Sequence, residues 1–295
     1  MRILVTGAEG FVGQHLCAEL QTAGHDVRPS DIGDHDLSVP DEARDLVIQT
    51  RPDYVVHLAA RYGRLLCRDE PHLAVSDNTA STTELAAECA RWGTPVLYAS
   101  SSEVYGDHGT ATIREDSELR MPTTIYGLSK RWGEEALRLY VEHENLTIVR
   151  MNMLYGPGQL GGYGRCSLAT FIDSAVRGEP FTVHRNTSRS WLYIADAVRA
   201  LRLLIEGEFY GTFNLGNPAR AWPMETIADE VKNQVRLFRE CPDPIVEDPP
   251  EGQIPHKNYD VTHLLGMVDW VPEVGLAEGI TATVAWARAK AQVTA

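Results

Sequence analysis

The first thirteen residues leave the backbone few choices. Ile3 to Val5 reads as a short apolar strand, and Gly7-Ala8-Glu9-Gly10-Phe11-Val12-Gly13 then places glycines at three of seven positions before an apolar-periodic stretch that runs to Ala23. Glycines at a strand-to-helix junction let the main chain come close to a bound pyrophosphate. The helix start, from Gly10 through Phe11, Val12 and Gly13, offers unpaired N–H groups and the positive end of the helix dipole. Asp31 follows 18 residues beyond Gly13, at the expected end of a second strand. A carboxylate there accepts hydrogen bonds from a ribose diol and repels a 2′-phosphate, which favours NAD over NADP. Arg28 lies nearby, and an ordinary surface aspartate is the alternative.

The rest of the chain supports this start. Apolar β-rich runs at Ile3 to Val5, Tyr54 to His57, Val96 to Tyr98 and Thr147 to Val149 alternate with helical patterns at Phe11 to Ala23, Pro40 to Thr50, Thr79 to Trp92 and Tyr126 to Glu142. That alternation predicts βαβ units and a parallel sheet, and Gly24 and Gly93 are placed to stop two of the helices. After Asn152 the run Tyr155 to Gly162 is dense in glycine, and Cys241 to Gly252 is proline-rich and acidic, a surface loop. With 295 residues, 43% of them hydrophobic, the chain buries a sizeable core.

Composition narrows the function classes. The formal charge of −14 opposes sequence-independent nucleic-acid binding. No apolar run approaches the roughly 20 residues of a membrane span, and the N-terminus has no secretion-signal pattern. Five widely spaced cysteines without a CxxC pair speak against a disulfide framework or a zinc site, so no metal is expected, and a reducing cytoplasm is the simplest location.

Further motifs join the glycine turn: His57-Leu58-Ala59-Ala60, Asn78, Ser100-Ser101-Ser102-Glu103-Val104-Tyr105-Gly106, Tyr126-Gly127-Leu128-Ser129-Lys130, Tyr155-Gly156-Pro157, Arg189 and Asp196. Jointly, and nearly end to end, they resemble the extended short-chain dehydrogenase/reductases, the nucleotide-sugar epimerase/dehydratase family. The resemblance implies a Rossmann-type, doubly wound α/β sheet over residues 1–152. Residues 153–295 would then be a smaller substrate-binding region, partly interleaved with it. It implies NAD as cofactor, a nucleotide-diphosphate sugar as substrate, and a homodimer formed through the helices at Thr79 to Trp92 and Tyr126 to Glu142. By the same resemblance Asp36 and Leu37 border adenine, Leu58, Ala59 and Ala60 line the cofactor, and Asn78 supports that pocket; an N-cap is the ordinary alternative for Asn78.

Tyr126 and Lys130, four apart on an expected helix, project from one face. A nearby ammonium and a positive nicotinamide would stabilise the phenolate, so Tyr126 is the candidate base and Lys130 the group that lowers its pKa. Ser101 resembles the family's hydroxyl-positioning serine or threonine. Glu103 bears on reaction type, because a carboxylate moves carbon-bound protons. Ser101-Ser102-Glu103 is similar to the Thr-Ser-Glu of GDP-mannose dehydratases and UDP-glucuronate decarboxylases, whereas glucose dehydratases place an acid where Ser102 stands. Arg189 resembles the arginine that grips the diphosphate, a contact suited to its paired donors; a surface ion pair with Asp196 is the alternative. Lys257 is a second basic candidate.

Two departures stand out. Met153 occupies the family's usual asparagine position, leaving Asn152 as the candidate substrate contact. The stretch from His57 to Asn78, with Arg61, Arg64 and Arg68, follows none of the subfamilies. The leading expectation is oxidation at C4 of the sugar to a transient ketone, with Glu103 acting at C5, and the outcome is 4-epimerisation or 4,6-dehydration. Decarboxylation of a uronate, an NAD(P)H-consuming sugar reductase and a non-catalytic dinucleotide-binding regulator remain open at this point.

Overall fold

The structure, a computed structural model, describes residues 1–219, 221–250 and 254–293. Its centre is a six-stranded sheet in the spatial order Gly211–Leu215, Leu146–Met151, Val96–Ser101, Tyr54–His57, Arg2–Thr6, Asp26–Ser30. Every neighbouring pair is parallel. Parallel strands need crossovers that cover both sheet faces, so their sequences run nearly continuously apolar; Tyr54–His57 and Val96–Ser101 are buried at every position.

Alternation along the first strand sorts the two faces. Ile3 and Val5 pack with Leu16 and Leu20 of the Phe11–Thr22 helix and with Leu201 and Leu204 of the Ile194–Glu206 helix. Leu4 points the other way, into a cluster with Leu46, Leu85 and Leu137 from the helices Glu42–Thr50, Ser81–Trp92 and Ile125–Tyr140. Each such leucine contributes about 1.5–3 kcal/mol by leaving water. The order of strands reverses at Arg2–Thr6, which has Asp26–Ser30 on one side and Tyr54–His57 on the other. Such a switch point opens a crevice at the carboxyl ends of the strands.

A further core cluster lies wholly after residue 153 and includes Tyr155, Phe171, Ile172, Trp191, Val231 and Ile280. The helices Ser167–Arg177, Met224–Arg236 and Leu276–Val293 supply most of it. The late segments Ile194–Glu206 and Gly211–Leu215 return to the central sheet, the strand pairing with Leu146–Met151.

The four expected helices form within two residues of their expected bounds. Gly93 ends one in the left-handed conformation at φ +64°. Two short helices, Arg64–Asp69 and Pro71–Val75, occupy ground with no assigned element in the sequence reading. The proline-rich segment from Cys241 is not only loop: Ile245–Glu247 pairs in parallel with Thr182–His184, all three strand residues exposed. Residues 251–253 lie outside the described residues. All five cysteines are free, and among the described residues no helix is long and apolar enough to cross a membrane.

Candidate active site

The glycine turn meets the next strand with no room for side chains. Gly7 has φ +69°, and a Cβ there would lie 2.7 Å from the Ala59 nitrogen; one at Gly13 would lie 2.2 Å from the Gly7 carbonyl oxygen. At Gly10 only the Gly7 oxygen is near, at 3.1 Å, and as N-cap it brings no capping side chain to the helix that starts at Phe11. The turn is therefore pressed against the protein at Gly7 and Gly13 and bare at the helix end, the cradle a dinucleotide pyrophosphate requires.

Asp31 directly follows the Asp26–Ser30 strand and accepts from the Glu9 N–H at 2.8 Å, which fixes its carboxylate beside the turn. Leu58 and Ala59 are held through their N–H groups by the carbonyl and hydroxyl of Thr6. Asn78 is fully used inside the protein. It accepts from the Arg61 N–H at 2.6 Å and donates to the Arg61 carbonyl and to Ser129 Oγ, while Ser129 donates to the Tyr126 carbonyl. Asn78 sits in a π-turn continuous with the following helix, so it is a brace between the Ala60–Arg61 segment and the Tyr126 helix and not an N-cap. Asp36 and Leu37 follow the second strand. Asp36 accepts from the Ser38 N–H and hydroxyl, and Leu37 is buried in the core.

Thr124 caps the Ile125–Tyr140 helix by accepting from the Gly127 N–H at 3.0 Å. Glu134 of that helix is fully buried and bound by Arg150 through two hydrogen bonds, at 2.9 and 2.7 Å, and by Ser100. Burial pushes the Glu134 carboxyl up, but Arg150, Ser100 and Arg138 outweigh it and hold it below the usual range. This pair ties the helix to the strands Val96–Ser101 and Leu146–Met151 and so sets where Tyr126 and Lys130 lie.

Tyr126 and Ser101 are both buried, and the Ser101 hydroxyl lies against the phenol. Lys130 donates to the Ala99 carbonyl at 2.8 Å, with its Nζ 4.9 Å from the centroid of the Tyr98 ring. The expected lowering of the phenol rests on the Lys130 ammonium together with the nicotinamide charge; the protein's own groups pull the other way. Burial raises Tyr126 above its ordinary value, the Ser101 hydroxyl opposing it, and burial lowers Lys130 to about 7. Both groups are desolvated, and desolvation favours their neutral forms.

Glu103 forms a buried ion pair with Lys257. Burial pushes the Glu103 carboxyl up, but Lys257, Arg64 and Arg189 together bring it below the usual carboxylate range. Three cationic side chains thus surround one carboxylate. Arg189 is buried and donates to the carbonyls of Ser188, Pro255 and Ile254 at 2.6–2.8 Å. Asp196 is elsewhere, bound to Arg199 and to the N–H groups of Glu273 and Val274, so Arg189 is no surface ion pair. The Asn152 Oδ1 is buried without a partner among the described residues, and Met153 packs against the cluster of the later helices. Asn152 directly follows Met151, the sheet partner of Ser101. Two site residues escaped the motif reading. Tyr62 packs edge-on against Tyr126 with ring centroids 5.8 Å apart, and Cys67 is buried against the same tyrosine; neither carried a sequence signal.

Comparisons with known proteins give the family. The model of the NAD dependent epimerase/dehydratase family matches residues 3–216, and the chain belongs to that family. UDP-glucuronic acid decarboxylase 6 of Arabidopsis thaliana is 29% identical over 95% of the chain and 87% of its own length. Among solved structures, MoeE5 in complex with UDP-glucuronic acid and NAD is 25% identical with a TM-score of 0.85, covering 98% of this chain and 100% of its own. The Thermus thermophilus UDP-glucose 4-epimerase in complex with NAD is 23% identical with a TM-score of 0.86, covering 98% and 99%, and shows the shared fold.

Proposed function

We propose that the protein is an NAD-dependent enzyme acting on a nucleotide-diphosphate uronic acid, which it oxidises transiently at C4 and decarboxylates. The observation that carries this reading is Glu103, ionised against Lys257 and ringed by Arg64 and Arg189, beside the Ser101–Tyr126 contact. A site with more positive than negative charge suits a substrate that brings a carboxylate as well as a diphosphate. Ser102 stands where the glucose dehydratases that the sequence resembles carry an acid, which argues against that one type of dehydration.

The residues divide the work as follows. The backbone of Gly7, Gly10, Phe11, Val12 and Gly13 holds the cofactor pyrophosphate, Asp31 the adenosine ribose, and Leu58 to Ala60 the wall of the pocket. NAD, when bound, supplies a hydride acceptor and donor at C4. Tyr126 takes the proton of the C4 hydroxyl, which Ser101 holds; burial alone favours the neutral phenol, so its base form depends on the positive nicotinamide of bound NAD acting together with the Lys130 ammonium. A ketone at C4 stands β to the C6 carboxylate, so the electron pair of the C5–C6 bond passes into the carbonyl as CO2 departs. Lys257, which holds the proton of the pair while Glu103 keeps it charged, then delivers that proton to C5 and regains one from solvent, and Tyr126 returns its proton to the C4 oxygen.

Residues 153–295 mainly supply the substrate side of the cleft in this reading. Trp92, Leu128, Trp132 and Leu139 are exposed large apolar side chains on the Ser81–Trp92 and Ile125–Tyr140 helices, which supports a homodimer formed through them. Five free cysteines are consistent with a cytoplasmic location.

The test is to incubate the NAD-loaded protein with UDP-glucuronic acid and with UDP-glucose and weigh the products by mass spectrometry. Loss of CO2 from the uronate, with UDP-glucose unchanged, is expected. Retention of mass with inverted C4 would make it a uronate 4-epimerase instead.

A further inference from the structure

Three arginines lie between the third sheet strand and the Asn78 brace, and two of them are committed. Arg61 pairs with Asp77 at 2.9 Å and Glu70 at 2.7 Å, and Arg68 binds Asp69 and Tyr163. Arg64 is half-buried and makes no hydrogen bond or ion pair with any described residue.

Its helix packs against the reacting end of the cleft. Arg64 opens the Arg64–Asp69 helix, whose Cys67 is buried against Tyr126. Residues three apart share a helix face, so Arg64 lies one turn along from the contact with the tyrosine. Gly63 presses this helix start onto the later glycine loop, where a Cβ on Gly63 would stand 2.6 Å from the Gly164 carbonyl oxygen. The Arg64 charge is felt at Glu103, Arg189 and Lys257. The other two cations are already spent, Arg189 on three main-chain carbonyls and Lys257 on Glu103.

We infer that Arg64 is the specificity-determining residue of this enzyme and holds the C6 carboxylate of the sugar. The inference deepens the proposed function and rests on its assignment of a uronate substrate. A guanidinium with free donors matches a carboxylate bidentately, and keeping an arginine unpaired beside two other cations is a cost that an incoming anion removes. A neutral hexose gives Arg64 nothing to bind and leaves that cost in place. Discrimination therefore comes from both sides, gain with the acid and loss with the alcohol.

Calorimetry of the NAD-loaded protein, on a Tyr126→Phe background that stops turnover, compares UDP-glucuronic acid with UDP-glucose. Arg64→Gln is expected to weaken the uronate by about tenfold or more and to change UDP-glucose less than about twofold, with Arg64→Lys recovering part of the loss. Equal weakening of both ligands would make Arg64 a diphosphate contact, and no change with either would make it a spectator; each overturns the inference. The binding difference does not depend on whether the carboxylate is later lost, so failure of the decarboxylation reading shows separately, in the products.

Discussion

Lys257 donates to Oε1 of Glu103 across 154 positions of sequence, and both side chains are all but closed off from water, 5% and 11% exposed. The pair joins the strand-end segment that carries Ser101 to the last third of the chain. Each partner depends on the other for its charge, because burial alone would neutralise both.

Removing the lysine exposes that dependence. In Lys257→Met the Glu103 carboxyl keeps its burial and loses its nearest cation, so its pKa rises from below the usual range to above it. Difference infrared spectra, with Glu103→Gln to assign the band, are expected to show the protonated carboxyl persisting to higher pH in the variant. Turnover falls by about a hundredfold or more as proton delivery to C5 fails. A Glu103 band that titrates as in the parent protein would contradict the pairing.

The Glu134–Arg150 pair makes a stability prediction with a definite sign. Glu134 is held below its unfolded value, so the stability it contributes is complete above the ordinary carboxylate range near 4.3 and is lost as pH falls through the folded pKa. Arg150→Met leaves a buried carboxylate without its main partner and costs about 3–5 kcal/mol at neutral pH. In the variant that carboxyl titrates upward, so the gap between the two proteins is expected to narrow on acidification. Urea unfolding at a series of pH values measures it; a gap that is constant with pH would remove Glu134 from the explanation.

Local features of the site were legible in the sequence and distant ones were not. The glycine turn and the Tyr126–Lys130 spacing each lie within one structural element, where chain geometry fixes who neighbours whom. Lys257 was visible as a basic candidate, but its engagement with Glu103 is a product of the return of the chain after residue 254. The strand Gly211–Leu215 carries no helix-strand rhythm that separates it from its surroundings, and only pairing with Leu146–Met151 defines it. Arg61, Arg64 and Arg68 looked equivalent in one dimension; they part company because Asp77, Glu70 and Asp69 happen to face two of the three. Asp36 holds a local turn through Ser38 and Leu37 joins the core, features that only the folded backbone displays.

Gly13→Ala tests the cradle. A methyl group at 2.2 Å from the Gly7 oxygen forces the turn and the helix start apart, and NAD affinity is expected to fall by about a hundredfold or more while circular dichroism shows the fold retained. Calorimetric titration with NAD checks it. An unaltered affinity would place the pyrophosphate somewhere other than this turn.

Asp31 carries the choice between cofactors. On the proposed assignment its carboxylate, held by the Glu9 N–H, would meet the ribose diol of NAD and repel the phosphate of NADP. Asp31→Ser is expected to weaken NAD and to strengthen NADP, so that the ratio of dissociation constants moves toward one. If NADP remains as weak in the variant as in the parent, the repulsion does not originate at Asp31.

Proton NMR of the reaction in D2O, with UDP-glucuronic acid in large excess over the bound NAD, tests the central claim most directly. The account predicts a pentose product with one deuterium at C5, many turnovers per cofactor and no accumulation of reduced NAD. Stoichiometric consumption of the cofactor, or a product that keeps its carboxylate and its C5 proton, would contradict it.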